Sequence, residues 1–327
     1  MEPPKQSSQA VQRFEDNPVL SAADVPYPSS QVFNAGVVRF RGRYAMVFRN
    51  DYGSGPGKTP QGTNLGLAWS DDGIRWQVEP EPCFELESDE VHRAYDPRLT
   101  VLDGRCYMCF AADTAHGIRG GVAVTDDLHD FDILSMSAPD NRNMVIFPER
   151  VQGRIARLER PFPIYGRGAP EAFDMWFSDS PEGRYWGNTH LVLGSEQVSY
   201  CNCKIGPAAP PLATEAGWLT LIHAVHKDPD RELPSWHGGW HKEYVAGLVL
   251  LDREEPWRVK GLAPDPLLVP EPEYDYEWDG FRGGVIFPCG MILEGDGTVK
   301  IYYGAADTVV ALSTARLEDL LALCRPA

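Results

Sequence analysis

The chain has 327 residues, of which 43% are apolar and 24% are charged, a balance typical of a soluble globular protein. Its formal net charge is −17, which excludes a nucleic-acid partner unless basic residues cluster locally, and which means that an anionic substrate needs a basic pocket. No run approaches the roughly 18 apolar residues of a membrane span, so no membrane partner is expected.

Residues 1–30 are predicted to form an irregular N-terminal arm, followed by a single folded domain over residues 31–327. The opening segment, MEPPKQSSQAVQRFEDN, is polar and lacks the apolar core of a signal peptide. The arm is long enough to pack on its own chain or on a neighbouring copy, so a homo-oligomer stays open.

Short apolar runs separated by turns follow the arm and repeat with a period of about 60 residues. Each unit contains three or four predicted strands, and the units start near residues 32, 96, 154, 217 and 285. This repetition predicts an all-β five-bladed β-propeller, with a large irregular β-sandwich as the alternative. Helical periodicity is convincing only in the last residues, Ala315–Cys324.

The second unit contains the most informative residue, Asp96. An apolar run, Leu99–Leu102, is followed by Asp103-Gly104 and a second run, Cys106–Ala112, which is a strong hairpin pattern. Asp96 is therefore expected where a strand begins, at a rim, and a turn aspartate is the alternative interpretation.

Seven cysteines show no metal-site or disulfide pattern. The pair Cys106 and Cys109 has C-x-x-C spacing, but it falls inside a predicted strand, where two residues three apart point to opposite faces. We therefore expect neither a zinc site nor a redox pair, and the cysteine usage predicts a cytoplasmic location.

Polar residues stand at or near strand ends throughout the repeats, and one, Asn34, lies within the first strand. In a propeller the ends of the inner strands converge on a central channel. These polar residues are Asn34, Arg49, Arg142, Asn143, Arg160, Lys204, His223, Tyr244 and Asp307. Each alone reads as a solvated surface charge or a rim residue. Together, the four potential cations Arg142, Arg160, Lys204 and His223 would supply what a phosphate or sulfate pocket requires, because Arg forks bind oxyanions and Lys adds a point charge.

A resemblance to a known family covers the chain from about Asn17 to Leu320. The motifs that carry it are Phe33-Asn34, Phe48-Arg49, Tyr95-Asp96-Pro97-Arg98, Arg142-Asn143, Ile146-Phe147-Pro148-Glu149, Arg160-Pro161, Lys204-Ile205-Gly206, Gly217-Trp218 through His223, Phe287-Pro288-Cys289-Gly290 and Tyr302-Tyr303-Gly304-Ala305-Ala306-Asp307. With these motifs in this order, the chain resembles the β-mannoside phosphorylases of glycoside hydrolase family 130.

The resemblance implies a five-bladed propeller whose active site occupies the central cavity, with Asp96 as proton donor. The resemblance also implies that this proton donor acts through a hydroxyl group of the mannosyl unit. The phosphate-binding residues that it implies are Arg142, Asn143, Arg160, Lys204 and His223, with Tyr244 as a helper. The residues implied to shape the sugar sites are Asn34, Arg49, Tyr95, Phe287 and Asp307. No metal or organic cofactor is implied, only inorganic phosphate as co-substrate.

The predicted reaction is inverting phosphorolysis of a β-mannoside, such as β-1,4-mannosyl-glucose or a manno-oligosaccharide, to α-mannose 1-phosphate and a shortened sugar. An inverting hydrolase needs a second carboxylate to activate water, whereas phosphate is already a nucleophile, and no dedicated base is obvious in this sequence. A hydrolase on the same fold and a non-catalytic glycan-binding propeller remain the alternatives. The linkage and the acceptor sugar stay open.

Two segments depart from the family pattern. Lys58 lies in a glycine-rich loop where many relatives carry a further phosphate-site arginine, and the stretch after Pro161 lacks a histidine that some relatives have. The aromatic insert 227–242, which includes Trp236 and Trp240, either caps the cavity and stacks on a sugar or forms a mobile surface loop.

Overall fold

A computed structural model describes residues 6–86, 88–162 and 173–326. Its strands form five separate sheets, arranged as a five-bladed β-propeller, as the repeat predicts. Buried side chains lie between adjacent sheets, so that each interface between blades has its own apolar core.

The strands are numbered in chain order, and each blade takes its strands from the central channel outward. The N-terminal strand is β1 (Val11–Arg13). Blade 1 contains β2 (Gln31–Phe40), β3 (Arg43–Tyr52), β4 (Gly62–Ser70) and β5 (Gln77–Val78). Blade 2 contains β6 (Val91–Leu102), β7 (Arg105–Thr114), β8 (Gly117–Thr125) and β9 (Asp132–Met136). Blade 3 contains β10 (Asn141–Ile146), β11 (Ile155–Pro161), β12 (Met175–Ser180) and β13 (Gly187–Leu193).

The last two blades include the chain's C-terminal elements. Blade 4 contains β14 (Lys204–Pro207), β15 (Leu212–Thr214), β16 (Gly217–Lys227), β17 (Lys242–Leu251) and β18 (Val259–Leu262). Blade 5 contains β19 (Ile286–Leu293), β20 (Thr298–Ala305) and β21 (Val309–Arg316). A helix, α1 (Leu317–Leu323), and a last strand, β22 (Arg325–Pro326), follow, and β22 pairs with β18. Short 3-10 helices span Ala22–Asp24, Ser195–Gln197 and Asp275–Glu277.

The hairpin predicted around Asp103-Gly104 is present. Both turn residues have positive φ, 51° and 79°, which matches the twist of a two-residue hairpin between β6 and β7. Along β7, Cys106 and Cys109 belong to different apolar clusters on opposite faces of the sheet. No disulfide bond joins any of the seven cysteines, all of which lie in the described part of the chain.

The predicted N-terminal arm supplies one strand to the last blade. Strand β1 pairs with β21, Val11 opposite Ala315, and so becomes the fourth strand of blade 5. Arg13 forms ion pairs with Glu277 at 2.7 Å and Glu271 at 2.8 Å. The two ends of the chain therefore close the ring together.

Two blade boundaries differ from the sequence prediction. Blades 3 and 4 begin at β10 and β14, and the positions near 154 and 217 mark their second strands. The inner strands are short and carry charged or polar residues that face the channel, which hides the apolar alternation expected of a strand.

Candidate active site

Three inner strands carry the same backbone irregularity next to the channel. The pairing of β2, β6 and β10 with their neighbours shifts register at Asn34, Asp96 and Asn143 respectively. These residues have φ of 49°, 56° and 56°, in the left-handed region that Asn and Asp adopt more readily than most residues. The prediction that Asp96 begins a strand is thus wrong: it lies mid-strand at a bulge, because Tyr95 and Arg98 both pair with β7.

The bulges turn their polar side chains into one cavity of about 540 Å³. All five blades contribute to its wall. The residues predicted for the site that line it are Asn34, Arg49, Tyr95, Asp96, Arg142, Asn143, Arg160, Lys204, Tyr244, Phe287 and Asp307. His223 is fully buried behind this wall, in contact with Arg160, rather than among the lining residues.

Asp96 is held by neighbours from blade 1. Its Oδ1 atom accepts a hydrogen bond from Asn34 Nδ2 at 2.9 Å and lies 3.3 Å from Arg49 Nη1. Burial opposes ionisation, but Arg49, Arg98 and the Asn34 hydrogen bond hold the pKa of Asp96 below its usual range. Asp96 is therefore a carboxylate at neutral pH.

The buried side chain of Arg98 holds the backbone of the Asp96 bulge by hydrogen bonds. Its Nη1 atom donates to the carbonyl oxygens of Asp96 at 3.0 Å and Pro97 at 3.2 Å, and its Nε atom donates to Ala208 O at 2.6 Å. This buried guanidinium joins blade 2 to blade 4 directly beneath the candidate acid.

Blades 3 and 4 bring three cations together. Arg142 and Arg160 are cross-strand partners on β10 and β11, and Lys204 begins β14. None of the three forms an ion pair with a carboxylate of the described residues. Instead, the guanidinium of Arg160 and the ammonium of Lys204 lie over the ring of Phe173, at 5.3 and 5.9 Å.

Several buried N–H groups in this cluster have no hydrogen-bond partner among the residues that the structure describes. They are Arg142 Nε, Arg160 Nε and Nη2, and His223 Nδ1. Buried polar atoms are nearly always paired. The unpaired donors of the two arginines are what an oxyanion would satisfy, so this side of the cavity is suited to bind phosphate or sulfate.

Burial and the neighbouring positive charges lower the pKa values of Lys204, Arg160 and His223. Burial, Arg160 and Arg142 lower the pKa of Lys204 to about 6. Burial and Arg142 lower the pKa of Arg160 to about 9. Burial and the same cations hold the pKa of His223 well below its usual range, so the imidazole is neutral.

Carboxylates line the cavity along blades 1, 2 and 5. Asp51, Asp113 and Asp307 follow or end the second strands of blades 1, 2 and 5, whereas the second strands of blades 3 and 4 carry Arg160 and His223. The acids are paired: Asp51 with Arg49 at 2.7 Å, Asp113 with Arg93 at 2.7 Å, and Asp307 with Arg282 at 3.2 Å. The cavity thus has a neutralised acidic half and a cationic half.

The sequence prediction missed several lining residues, including Asp51, Asp113 and Arg282. The sequence contains a pattern that could have identified Asp51 and Asp113. In both Phe48-Arg-Asn-Asp51 and Phe110-Ala-Ala-Asp113, an aspartate follows a strand phenylalanine at the same distance. Arg282 follows no such pattern. It enters the wall because its loop folds over blade 5.

The pKa values of two cavity acids, Asp96 and Asp307, are shifted in opposite directions. Burial raises the pKa of Asp307, and its neighbours Arg282 and Arg49 offset only part of that effect. Asp96 is shifted in the opposite direction. Two carboxyl groups with divergent pKa values in one pocket indicate different roles for them.

The insert 227–242 packs at the mouth of the cavity. Gly57 N, in the loop after β3, donates to Trp236 O at 3.0 Å, and the Trp236 ring meets Phe281 edge-on. Trp240 lines the cavity, but its ring is stacked on Tyr244 with centroids 6.0 Å apart. Stacking of the insert on a sugar stays a prediction.

The two segments that depart from the family pattern are Lys58 and the stretch after Pro161. Lys58 is exposed and does not line the cavity. The stretch after Pro161 that lacks a family histidine lies mostly outside the described residues. In the described part of the chain, no cluster of three His, Cys, Asp or Glu side chains is arranged to hold a metal, and no helix is long and apolar enough to cross a membrane.

Comparison with known proteins gives matches over nearly the whole chain. The sequence model of glycoside hydrolase family 130, described as β-1,4-mannooligosaccharide phosphorylase, matches residues 7–326. The β-1,4-mannooligosaccharide phosphorylase of Ruminococcus albus is 31% identical over 97% of this chain and 92% of its own.

Solved structures agree on the fold. The β-1,2-mannobiose phosphorylase of Listeria innocua superposes with a TM-score of 0.81 at 24% identity, covering 96% of this chain and 98% of its own. Another match, with a TM-score of 0.76 at 19% identity, covers 98% of this chain and 96% of the matched chain. That structure accompanies the finding that the GH130 family of mannoside phosphorylases contains glycoside hydrolases that target β-1,2 mannosidic linkages in Candida mannan.

Proposed function

This chain belongs to glycoside hydrolase family 130, and on that premise we propose that it catalyses inverting phosphorolysis of a β-mannoside. The substrate is a β-1,4-linked manno-oligosaccharide or mannosyl-glucose, and the products are α-mannose 1-phosphate and a shortened sugar. Inorganic phosphate is the co-substrate, and no metal or organic cofactor takes part. The proposed location is cytoplasmic, in keeping with a chain whose described cysteines form no disulfide bond.

The observation that carries this proposal is the set of buried donors on Arg142 and Arg160 of blade 3 that have no partner among the described residues, in a cavity wall that also contains Lys204 of blade 4. Arg142, Arg160 and Lys204 have no described carboxylate partner, although the chain has a net charge of −17. A hydrolase has no need to keep three cations unneutralised, because its nucleophile is water. A phosphorolytic enzyme needs them to bind and align a dianion.

The proposed step uses one acid and one anion. A phosphate oxygen attacks the anomeric carbon as the bond from that carbon to the leaving oxygen breaks. Asp96 supplies the proton that the leaving oxygen requires, through a hydroxyl group of the mannosyl unit. The proton of hydrogenphosphate then restores the acid, so protons and charges balance over the cycle.

Phosphate binding also addresses the low pKa of Asp96. Arg142 is among the cations that stabilise the Asp96 carboxylate. A bound phosphate dianion offsets the field of Arg142 and adds negative charge to the cavity, and both effects favour the protonated acid. Asp96 thus becomes competent as a proton donor when its nucleophile is in place.

The acidic half of the cavity is the proposed sugar site. Asn34, Arg49 and Asp307 offer paired donors and acceptors for hydroxyl groups, while the rings of Tyr95 and Phe287 supply apolar contact. Trp240 and Arg282 at the mouth contribute to the acceptor end.

The decisive experiment is to incubate the enzyme with β-1,4-mannobiose and mannotriose with and without phosphate, and to identify products by NMR. We expect α-mannose 1-phosphate, formed only with phosphate. Free mannose released at the same rate in phosphate-free buffer would instead establish a hydrolase. No turnover in either direction, including synthesis from α-mannose 1-phosphate with a panel of acceptors, would favour a non-catalytic binding protein.

A further inference from the structure

Asp113 is a cavity carboxylate to which the proposed reaction assigns no role. The residue lies near the C-terminal end of β7, and its side chain lines the cavity wall together with Tyr95 and Arg142. Its Oδ2 atom accepts a hydrogen bond from Arg93 Nε at 2.7 Å, and the two residues are cross-strand partners in blade 2. This pairing fixes the carboxylate and leaves its other oxygen for a second contact.

That second contact is with the hydroxyl group of Tyr95. The Tyr95 hydroxyl donates to Asp113 Oδ1 at 2.7 Å. Burial raises the pKa of Tyr95 to about 12, so the phenol keeps its proton and stays a donor. With its hydrogen directed to Asp113, the phenol oxygen can act only as an acceptor towards its other neighbour.

The other neighbour is Arg142, whose Nη1 atom lies 3.4 Å from the Tyr95 oxygen. This is the sole hydrogen bond that the guanidinium makes to the described residues, and its Nε atom has none. The ring of Phe162, 5.5 Å from the guanidinium carbon, does not fix rotation of the fork. The Tyr95 oxygen therefore sets the direction in which Arg142 points.

A phenol between the carboxylate and the guanidinium has an electrostatic advantage. A carboxylate in direct contact with Arg142 would neutralise it and repel an incoming phosphate. A neutral hydroxyl that donates to a carboxylate is polarised and becomes a better acceptor, so it orients the cation and leaves its positive charge available.

We propose that Asp113 is a positioning residue for the phosphate site, holding Arg142 in place through the hydroxyl group of Tyr95. The proposal rests on the phosphorolytic function and assigns this role to a residue outside the predicted site. Asp113 does not touch phosphate or sugar in this scheme. Its effect is confined to the orientation of one arginine.

The test compares Asp113→Ala, Asp113→Asn, Tyr95→Phe and the double variant Tyr95→Phe/Asp113→Ala in steady-state phosphorolysis. We expect Asp113→Ala and Tyr95→Phe each to raise the KM for phosphate about tenfold, with the KM for the mannoside changed less than about twofold. The double variant should be no worse than either single variant, because both remove the same relay. Asp113→Asn keeps an oxygen acceptor and should recover part of the loss.

The matched control is Asp126→Ala. Asp126 is likewise paired with an arginine, Arg105 of β7 at 2.7 Å, but it is exposed and does not line the cavity. Equal increases of both KM values in Asp113→Ala, or multiplicative effects in the double variant, would overturn the proposal. If Asp113→Ala does not fold, an unchanged phosphate KM in Tyr95→Phe overturns it. A wild-type enzyme without phosphate-dependent turnover would instead refute the proposed function.

Discussion

Arg160 Nη1 lies 2.8 Å from the ring atom Nε2 of His223, and a guanidinium can only donate. The imidazole must accept this hydrogen bond, so Nε2 carries no proton and His223 is neutral. Asn143 Nδ2 approaches the same nitrogen at 3.4 Å. His223 therefore orients two polar side chains of the cavity wall and adds no positive charge, although the sequence pattern suggested a fourth cation.

The first prediction concerns this acceptor. His223→Ala leaves Arg160 without its acceptor and opens space behind it, so we expect the KM for phosphate to rise about tenfold or more, corresponding to the loss of a charge-assisted hydrogen bond. The KM for the mannoside should change much less. Steady-state kinetics with each substrate varied will measure both.

His190→Ala is a suitable control, because His190 stacks on Trp257 on an exposed strand of blade 3. A His223→Ala enzyme with an unaltered phosphate KM would show that Arg160 is held by other contacts.

The second prediction follows from the pKa of Lys204, which burial and the neighbouring Arg160 and Arg142 lower to about 6. A bound dianion favours the ammonium form, so binding takes up a proton above that pH. With sulfate, which does not titrate in this range, affinity should fall as pH rises, approaching about tenfold per pH unit.

Calorimetry in buffers of different ionisation enthalpy measures both the affinity and the proton uptake. Lys204→Met should bind sulfate more weakly at about pH 6 and lose most of the pH dependence. A Lys204→Met variant with the pH profile of the wild type would assign the titration to another group.

The third prediction separates the two cavity acids. Asp96→Asn removes the proposed proton donor and should lower kcat about 10²- to 10⁴-fold. Asp307→Asn should act mainly through the KM for the mannoside, because Asp307 pairs with Arg282 at the sugar side. The reverse pattern would make Asp307, whose pKa is raised, the acid.

The fourth prediction uses the close approach of Gly304 to Asn34. A Cβ atom at position 304 would lie 2.2 Å from Asn34 Oδ1 and 3.0 Å from Asn34 N, so Gly304→Ala must displace the Asn34 amide. Asp96 would then lose a hydrogen bond that lowers its pKa. A proton donor with a higher pKa keeps activity to higher pH, so the alkaline limb of the kcat/KM profile should move upward while kcat falls. An unchanged limb would mean that Asn34 does not tune the acid.

The fifth prediction concerns closure of the ring. Arg13→Met leaves Glu277, whose side chain is 0% exposed, without its ion-pair partner. Breaking a buried pair costs roughly 3–5 kcal/mol of unfolding free energy. Burial already raises the pKa of Glu277, and losing Arg13 raises it further.

A carboxyl group whose pKa is raised in the folded state lowers the free energy of unfolding as the pH rises from its unfolded pKa to its folded pKa. The loss of unfolding free energy in Arg13→Met should therefore be larger at about pH 8 than at about pH 5. Denaturant unfolding at both pH values measures this, with Arg75→Met, an exposed arginine, as the control. Equal losses at the two pH values would point to packing rather than to charge.

Much of the fold follows from local pattern. The period of the units, the hairpin at Asp103-Gly104 and the short C-terminal helix are encoded in neighbouring residues, because turns and strand alternation are short-range properties. The inner strands of blades 3 and 4 are harder to predict from the sequence, because their polar residues face a channel that exists only once five blades have assembled.

The sequence by itself determined the all-β repeat, the family motifs and the identity of many of the residues that line the cavity. Only the tertiary structure decided which charges are neutralised: Arg49, Arg93 and Arg282 meet carboxylates, while Arg142, Arg160 and Lys204 meet aromatic rings and one another. It also placed His223 behind the wall and Asp113 beside Tyr95. These relations depend on distances between strands of different blades, which bring together residues far apart in the chain, and no local pattern specifies such distances.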